Sequence, residues 1–103
     1  MSAVAAEPYD EFERHCATVR SVTQGRECPV EAIAAARRVF NSDGLIGLGR
    51  QKLVALVGEP YRTRARRSRE KLIYRFDDGY GRYEYIVRLE HATVISVKER
   101  APH

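Results

Sequence analysis

Tryptophan is absent from the 103-residue chain, methionine occurs once and cysteine twice. Two cysteines, Cys16 and Cys28, are too few to staple a disulfide scaffold. Neither stands at metal-ligand spacing from His15, His91 or His103. Both are read as ordinary thiols, and no metal or cofactor is expected. Long apolar runs are also missing: the longest aliphatic stretch, Leu53 to Val57, is five residues, against the roughly 20 that cross a bilayer. Met1 to Pro8 contain neither a basic region nor an apolar stretch of the kind that opens a secretory leader. A cytoplasmic location is the expectation, with the periplasm or outer membrane as the alternative where a leader has been removed. No glycine-rich phosphate loop, nucleophile elbow or His-Glu-x-x-His site occurs. The adjacent His15 and Cys16 point about 100° apart on a helix and do not form a catalytic pair. Asp77 and Asp78 are turn formers before they are metal ligands. These absences argue against an enzyme.

What the chain has is charge, unevenly divided. Residues 1 to 44 hold five Arg and seven Asp or Glu, a net of −2, whereas residues 45 to 103 hold thirteen Lys or Arg and seven Asp or Glu, a net of +6. Hydrophobic residues are 44% and charged residues 31% of the whole, the balance of one folded domain rather than a disordered or membrane chain. The expected organisation is a flexible tail over residues 1 to 8 and a single α+β domain over residues 9 to 103.

Three helices are predicted. Phe12, Cys16, Val19 and Thr23 recur at helical spacing after Pro8, with Gly25 as the stop. Pro29 opens a second helix marked by Val30, Ile33, Arg37 and Phe40 and rich in alanine, ended by Asn41-Ser42-Asp43-Gly44. Gly49 to Gly58 describes a third, short helix with glycine at both ends and Pro60 beyond. Tyr61 to Glu70 carries five arginines without apolar periodicity and reads as a loop running into a strand.

The remainder alternates with period two and predicts a three-stranded antiparallel meander over residues 71–76, 82–89 and 93–99. A Gly79-Tyr80 type II′ turn is favoured for the first hairpin. It opposes Arg75 to Glu84, Asp77 to Arg82, Ile73 to Ile86 and Tyr74 to Tyr85, whereas an Asp78-Gly79 turn sets Arg75 against Arg82. For the second hairpin the same reasoning favours a three-residue loop, Glu90-His91-Ala92, with Val87 beside Ile95 and Glu84 beside Lys98. Leu72, Tyr74, Phe76, Tyr83, Tyr85, Val87, Leu89, Ile95 and Val97 then face the helices. Lys71, Ile73, Arg75, Glu84, Ile86, Arg88, Val94, Ser96 and Lys98 face outward.

Leu45-Ile46-Gly47-Leu48-Gly49-Arg50-Gln51-Lys52-Leu53-Val54-Ala55-Leu56-Val57-Gly58-Glu59-Pro60, followed by Leu72-Ile73-Tyr74-Arg75-Phe76 and a meander, resembles the SmpA/OmlA family of BamE-like proteins. The match covers about residues 45–99. That family's pattern is a Gly-hydrophobic turn, a short helix ending in Leu-Gly-x-Pro, a Tyr-bearing strand and two further strands. A similar unit occurs in β-lactamase inhibitor protein, so the resemblance implies helices on one face of a small antiparallel sheet and a protein-binding role rather than one activity. This chain departs from the pattern at Gly49, where Ser or Thr is usual, and at Glu90-His91-Ala92, where a glycine is usual. Cys16 follows Glu-Arg-His and lacks the small apolar residues of a lipidation site.

Arg62, Arg64, Arg66, Arg67, Arg69 and Lys71 cluster beside Tyr61. Such a patch attracts phosphates, but no nucleic-acid motif accompanies it. Arginine and tyrosine are equally the residues that protein interfaces enrich. The expected function is a small inhibitor or toxin-immunity-type protein. Its candidate contact residues are Tyr61, Arg62, Arg64, Arg66, Arg67, Arg69, Ile73, Arg75, Tyr80, Glu84, Ile86, Arg88, Val94 and Lys98. Their charge predicts a partner protein with an acidic surface. The alternatives are an envelope assembly factor, nucleic-acid binding through the arginine segment, and a homodimer through an edge strand.

Overall fold

The computed structural model describes residues 8–100. Three helices, α1 Pro8–Arg20, α2 Val30–Phe40 and α3 Arg50–Val57, precede four strands, β1 Arg62–Arg66, β2 Arg69–Asp77, β3 Arg82–Glu90 and β4 Thr93–Arg100. The strands form one antiparallel meander in the order β1-β2-β3-β4, and the helices pack against it. No helix among the described residues is long and apolar enough to cross a membrane. The expected tail lies outside the described residues except for Pro8, which begins α1.

Each helix end has a local cause. α1 stops at Arg20, before the predicted Gly25, and Arg20 Nη1 donates to the Ala55 (3.2 Å) and Leu56 (2.9 Å) carbonyls. A guanidinium there satisfies carbonyls that α3 leaves free at its negative end. α2 buries Ala32, Ile33, Ala35, Ala36, Val39 and Phe40. The buried side therefore excludes Val30, which is 75% exposed, and Arg37, both of which the sequence placed on it. Gly49 caps the start of α3, and Gly58 closes it at φ 92°, ψ 179°, a conformation essentially reserved for glycine.

Aromatic rings fill the space between α2 and the sheet. Phe40 stacks on Tyr85 at 4.8 Å between centroids and tilts against Tyr74 and Phe76 at 5.1 and 6.0 Å. Tyr74 keeps its hydroxyl in this setting by donating to the Gly58 carbonyl at 2.8 Å. Burial raises its pKa well above the ordinary phenol range.

The first hairpin has the predicted register, with Arg75 opposite Glu84, Ile73 opposite Ile86, Tyr74 opposite Tyr85 and Asp77 opposite Arg82. Gly79 takes φ 90° at its turn. Two expectations are corrected. Residues 61–70 are not a loop: Arg62–Arg66 form a fourth strand, hairpinned to β2 through Arg67 and Ser68. This strand shows no apolar alternation because it lies at the sheet edge, exposed at every position. The second hairpin has a two-residue loop, His91-Ala92, with both residues at positive φ (51° and 63°). A register shift at Arg88/Leu89 follows, so Val87 faces Val97 and Glu84 faces Arg100. The extra residue reverses the alternation at the start of β4. Val94 therefore points into the core, 1% exposed, and Ile95 points out, 52% exposed.

Candidate binding face

The sheet face turned away from the helices is a grid whose rows are set by the strand registers. One row runs Arg64, Lys71, Arg88, Ser96 across all four strands, and the next runs Arg62, Ile73, Ile86, Lys98. Arg66, Arg69 and Glu90 lie on one side of these rows, and Arg75, Glu84 and Arg100 on the other. Tyr61, Arg62, Arg64, Lys71, Ile73, Glu84, Ile86, Lys98, Glu99 and Arg100 line a shallow depression of about 470 Å³ on this face.

The carboxylates of these rows are ion-paired, whereas Glu99, at the rim of the depression, accepts from Asn41 Nδ2 at 3.3 Å. Glu90 meets Arg69 at 3.5 Å, Asp77 meets Arg75 at 3.4 Å and Arg82 at 4.0 Å, and Glu84 meets Arg100 at 3.5 Å. Arg62, Arg64, Arg66, Lys71, Arg88 and Lys98 have no carboxylate within ion-pair distance among the described residues. Arg64, Lys71 and Arg88 stand directly opposite one another, an arrangement of like charges that destabilises a sheet.

Tyr61 anchors one wall. Its N–H donates to the Ile73 carbonyl at 2.8 Å, and its ring rests on Gly25, where an added Cβ would sit 2.8 Å from the ring. The Arg75 and Arg62 guanidiniums lie 5.1 and 5.8 Å from the ring centroid, and Arg75 Nη1 also donates to the Tyr61 hydroxyl at 3.3 Å. These contacts spread Arg62 and Arg75 over an aromatic surface and hold their charge on the outer face.

Of the sequence-derived candidates, Tyr61, Arg62, Arg64, Arg66, Arg69, Ile73, Arg75, Glu84, Ile86, Arg88 and Lys98 share this face. Arg67 sits on the β1–β2 turn at φ 57°. Tyr80 is fully exposed at the opposite tip of β2–β3, beside Asp78, whose Oδ1 accepts the Tyr80 and Gly81 N–H groups at 2.8 and 2.7 Å. Those bonds hold the Asp78 carboxyl below its usual pKa. Val94 does not belong to the face, because the β4 register shift buries it. The apolar centre expected from Ile73, Ile86 and Val94 shrinks accordingly: Ile73 is only 9% exposed and Ile86 is half-buried. Lys71 and Arg100 were not among the candidates and belong to the face. Lys71 was visible in the basic cluster, whereas Arg100 is brought opposite Glu84 only by the register shift.

Both thiols lie elsewhere. Cys16 is wholly buried, and desolvation pushes its pKa up to about 11. Cys28 Sγ donates to the Asp77 carbonyl at 3.2 Å, and burial raises its pKa as well. A scan against protein-family models and searches of curated proteins and of solved structures each returned no match.

Proposed function

We propose that this protein is a non-enzymatic binding module of the inhibitor or immunity type, which receives an acidic surface of a partner protein on the outer face of its sheet. The observation that carries the reading is the Arg64–Lys71–Arg88 row, three cations placed directly opposite one another with no carboxylate to offset them among the described residues. Folding alone disfavours that row, and an anionic partner turns each of its charges into an attractive contact. Ile86 and the aliphatic stems of the arginines supply apolar area between the charges.

A protein is favoured over nucleic acid because Glu84, Glu90 and Asp77 stand among the cations. A continuous phosphate backbone meets repulsion at those positions, whereas a folded surface can place a donor or a cation there. The resemblance to the SmpA/OmlA family points in the same direction, toward small binding proteins.

The test is affinity purification of the tagged wild-type protein and of an Arg64→Glu/Arg88→Glu variant from the native cells, with nuclease in the wash. One acidic protein should be retained in stoichiometric amount by the wild type and lost from a variant that stays folded by circular dichroism. Retention by the charge-reversed variant contradicts the proposal. So does a wild-type eluate holding nucleic acid that disappears on nuclease treatment, with no protein retained.

A further inference from the structure

The sheet has two terminal strands, β1 and β4, and among the described residues specific hydrogen bonds from neighbouring segments reach β4 and the uncovered part of β2 but not β1. Beyond the end of β1, the exposed side of β2 is bonded at two points. Gln24 Oε1 accepts the Arg75 N–H at 2.9 Å, and Cys28 N–H donates to the Asp77 carbonyl at 2.8 Å. At the start of β4, Gly47 N–H donates to the Val94 carbonyl and Val94 N–H to the Leu48 carbonyl, both at 2.9 Å. β1 has no such cover. It is a terminal strand, exposed at all five positions, and among the described residues it pairs only with β2.

The direction of its free groups follows from the register. Ile73, Arg75 and Asp77 are the β2 residues whose backbone faces the β1 side, as their bonds to Tyr61, Gln24 and Cys28 show. Their register partners continue that ladder, so Arg62, Arg64 and Arg66 turn their backbone groups toward β2. Thr63 and Ala65 therefore present N–H and C=O to the open edge. No hydrogen-bond partner meets them among the described residues.

We propose that this edge takes up an extended segment of the acidic partner as a fifth strand, with carboxylates at alternate positions. The proposal rests on the acidic-partner reading above and specifies how the contact is made. Strand addition supplies main-chain hydrogen bonds from Thr63 and Ala65, while every second side chain of the added strand comes to lie opposite Arg62, Arg64 or Arg66 on the outer face. Charge also decides against a second copy of this chain: pairing β1 with another β1 sets arginine rows against each other.

The experiment uses the full chain and a peptide of about eight residues alternating Glu and Thr, with a Lys and Thr peptide as control. Amide hydrogen exchange is followed by NMR. The Glu peptide should slow exchange at Thr63 and Ala65 by about tenfold or more, with the Lys peptide without effect. Ala65→Pro removes an outward N–H and spares the bonds to β2, so it should weaken peptide binding about tenfold. Arg88→Glu, on β3 and away from the edge, reports on the acidic-face reading separately. Binding that responds to Arg88→Glu but protects neither amide, or survives Ala65→Pro, overturns strand addition and leaves the face reading in place. No binding of the Glu peptide to the wild type also overturns it. Protection of Thr63 and Ala65 without peptide, together with a dimer in sedimentation, assigns the edge to a second copy and overturns the proposal.

Discussion

Lys71→Glu should make the protein more stable and a weaker binder at once. Lys71 lies between Arg64 and Arg88, directly opposite both. Two unit charges about 8 Å apart in water interact by about 0.5 kcal/mol, and ions at 0.1 M screen roughly half of that. Reversing the central charge removes two repulsions and installs two attractions, a total change of about 1 kcal/mol, within the range seen for exposed cross-strand pairs. Glutamate and lysine have similar strand propensity, so the backbone preference changes little. The nearest carboxylate on this face, Glu90, is one register pair away and engaged by Arg69. For a domain of this size the gain corresponds to a rise in Tm of about 4–8 °C. Thermal unfolding followed by circular dichroism at low and at about 1 M salt checks it, because a Debye length near 3 Å in the concentrated salt removes the effect. A lower Tm in dilute buffer refutes the reasoning. A gain that persists in concentrated salt also refutes it, since charge is then not the cause.

Three further outcomes are expected. Ala92→Gly should raise stability by about 0.5–1 kcal/mol, because relief of a left-handed alanine outweighs the extra backbone entropy of glycine; denaturant titration showing a loss contradicts the His91-Ala92 turn. Asp78 is held below its ordinary pKa by the Tyr80 and Gly81 amides. Its contribution to the hairpin is thus complete above the unfolded value near 3.8 and disappears as pH falls through the lower folded value. An NMR titration of the Tyr80 and Gly81 amides should show this, and Asp78→Asn should abolish the transition. Cys16 and Cys28, buried and raised in pKa, should react with a thiol reagent at pH 8 only as fast as the chain unfolds; rapid stoichiometric labelling of the native protein contradicts their placement.

The β2–β3 hairpin was legible in the sequence because its alternatives differ in energy at visible positions. One turn opposes Arg75 to Arg82 and the other opposes it to Glu84. β1 was not legible, because alternation marks a strand only when one face is buried, and no helix covers Arg62–Arg66. The second hairpin failed for a different reason. Side-chain matching favoured Val87 beside Ile95, but the chain instead accepts two left-handed residues at His91 and Ala92 and a bulge, a solution that places Val94 in the core. The basic character of the candidate face was evident from the arginine count, while the direct alignment of Arg64, Lys71 and Arg88 depends on the strand that the pattern hid.

The central claim is tested most directly by zero-length carbodiimide cross-linking in native cells, followed by peptide mass spectrometry, because this reagent joins lysine amines to carboxylates in contact with them. The chain has three lysines, Lys52, Lys71 and Lys98. Lys71 and Lys98 lie on the outer sheet face, and Lys52 lies exposed on α3. The account predicts cross-links from Lys71 and Lys98 to Asp or Glu of one partner protein, with Lys52 unmodified by it. Cross-links confined to Lys52, or none to any protein from the sheet lysines, contradict it.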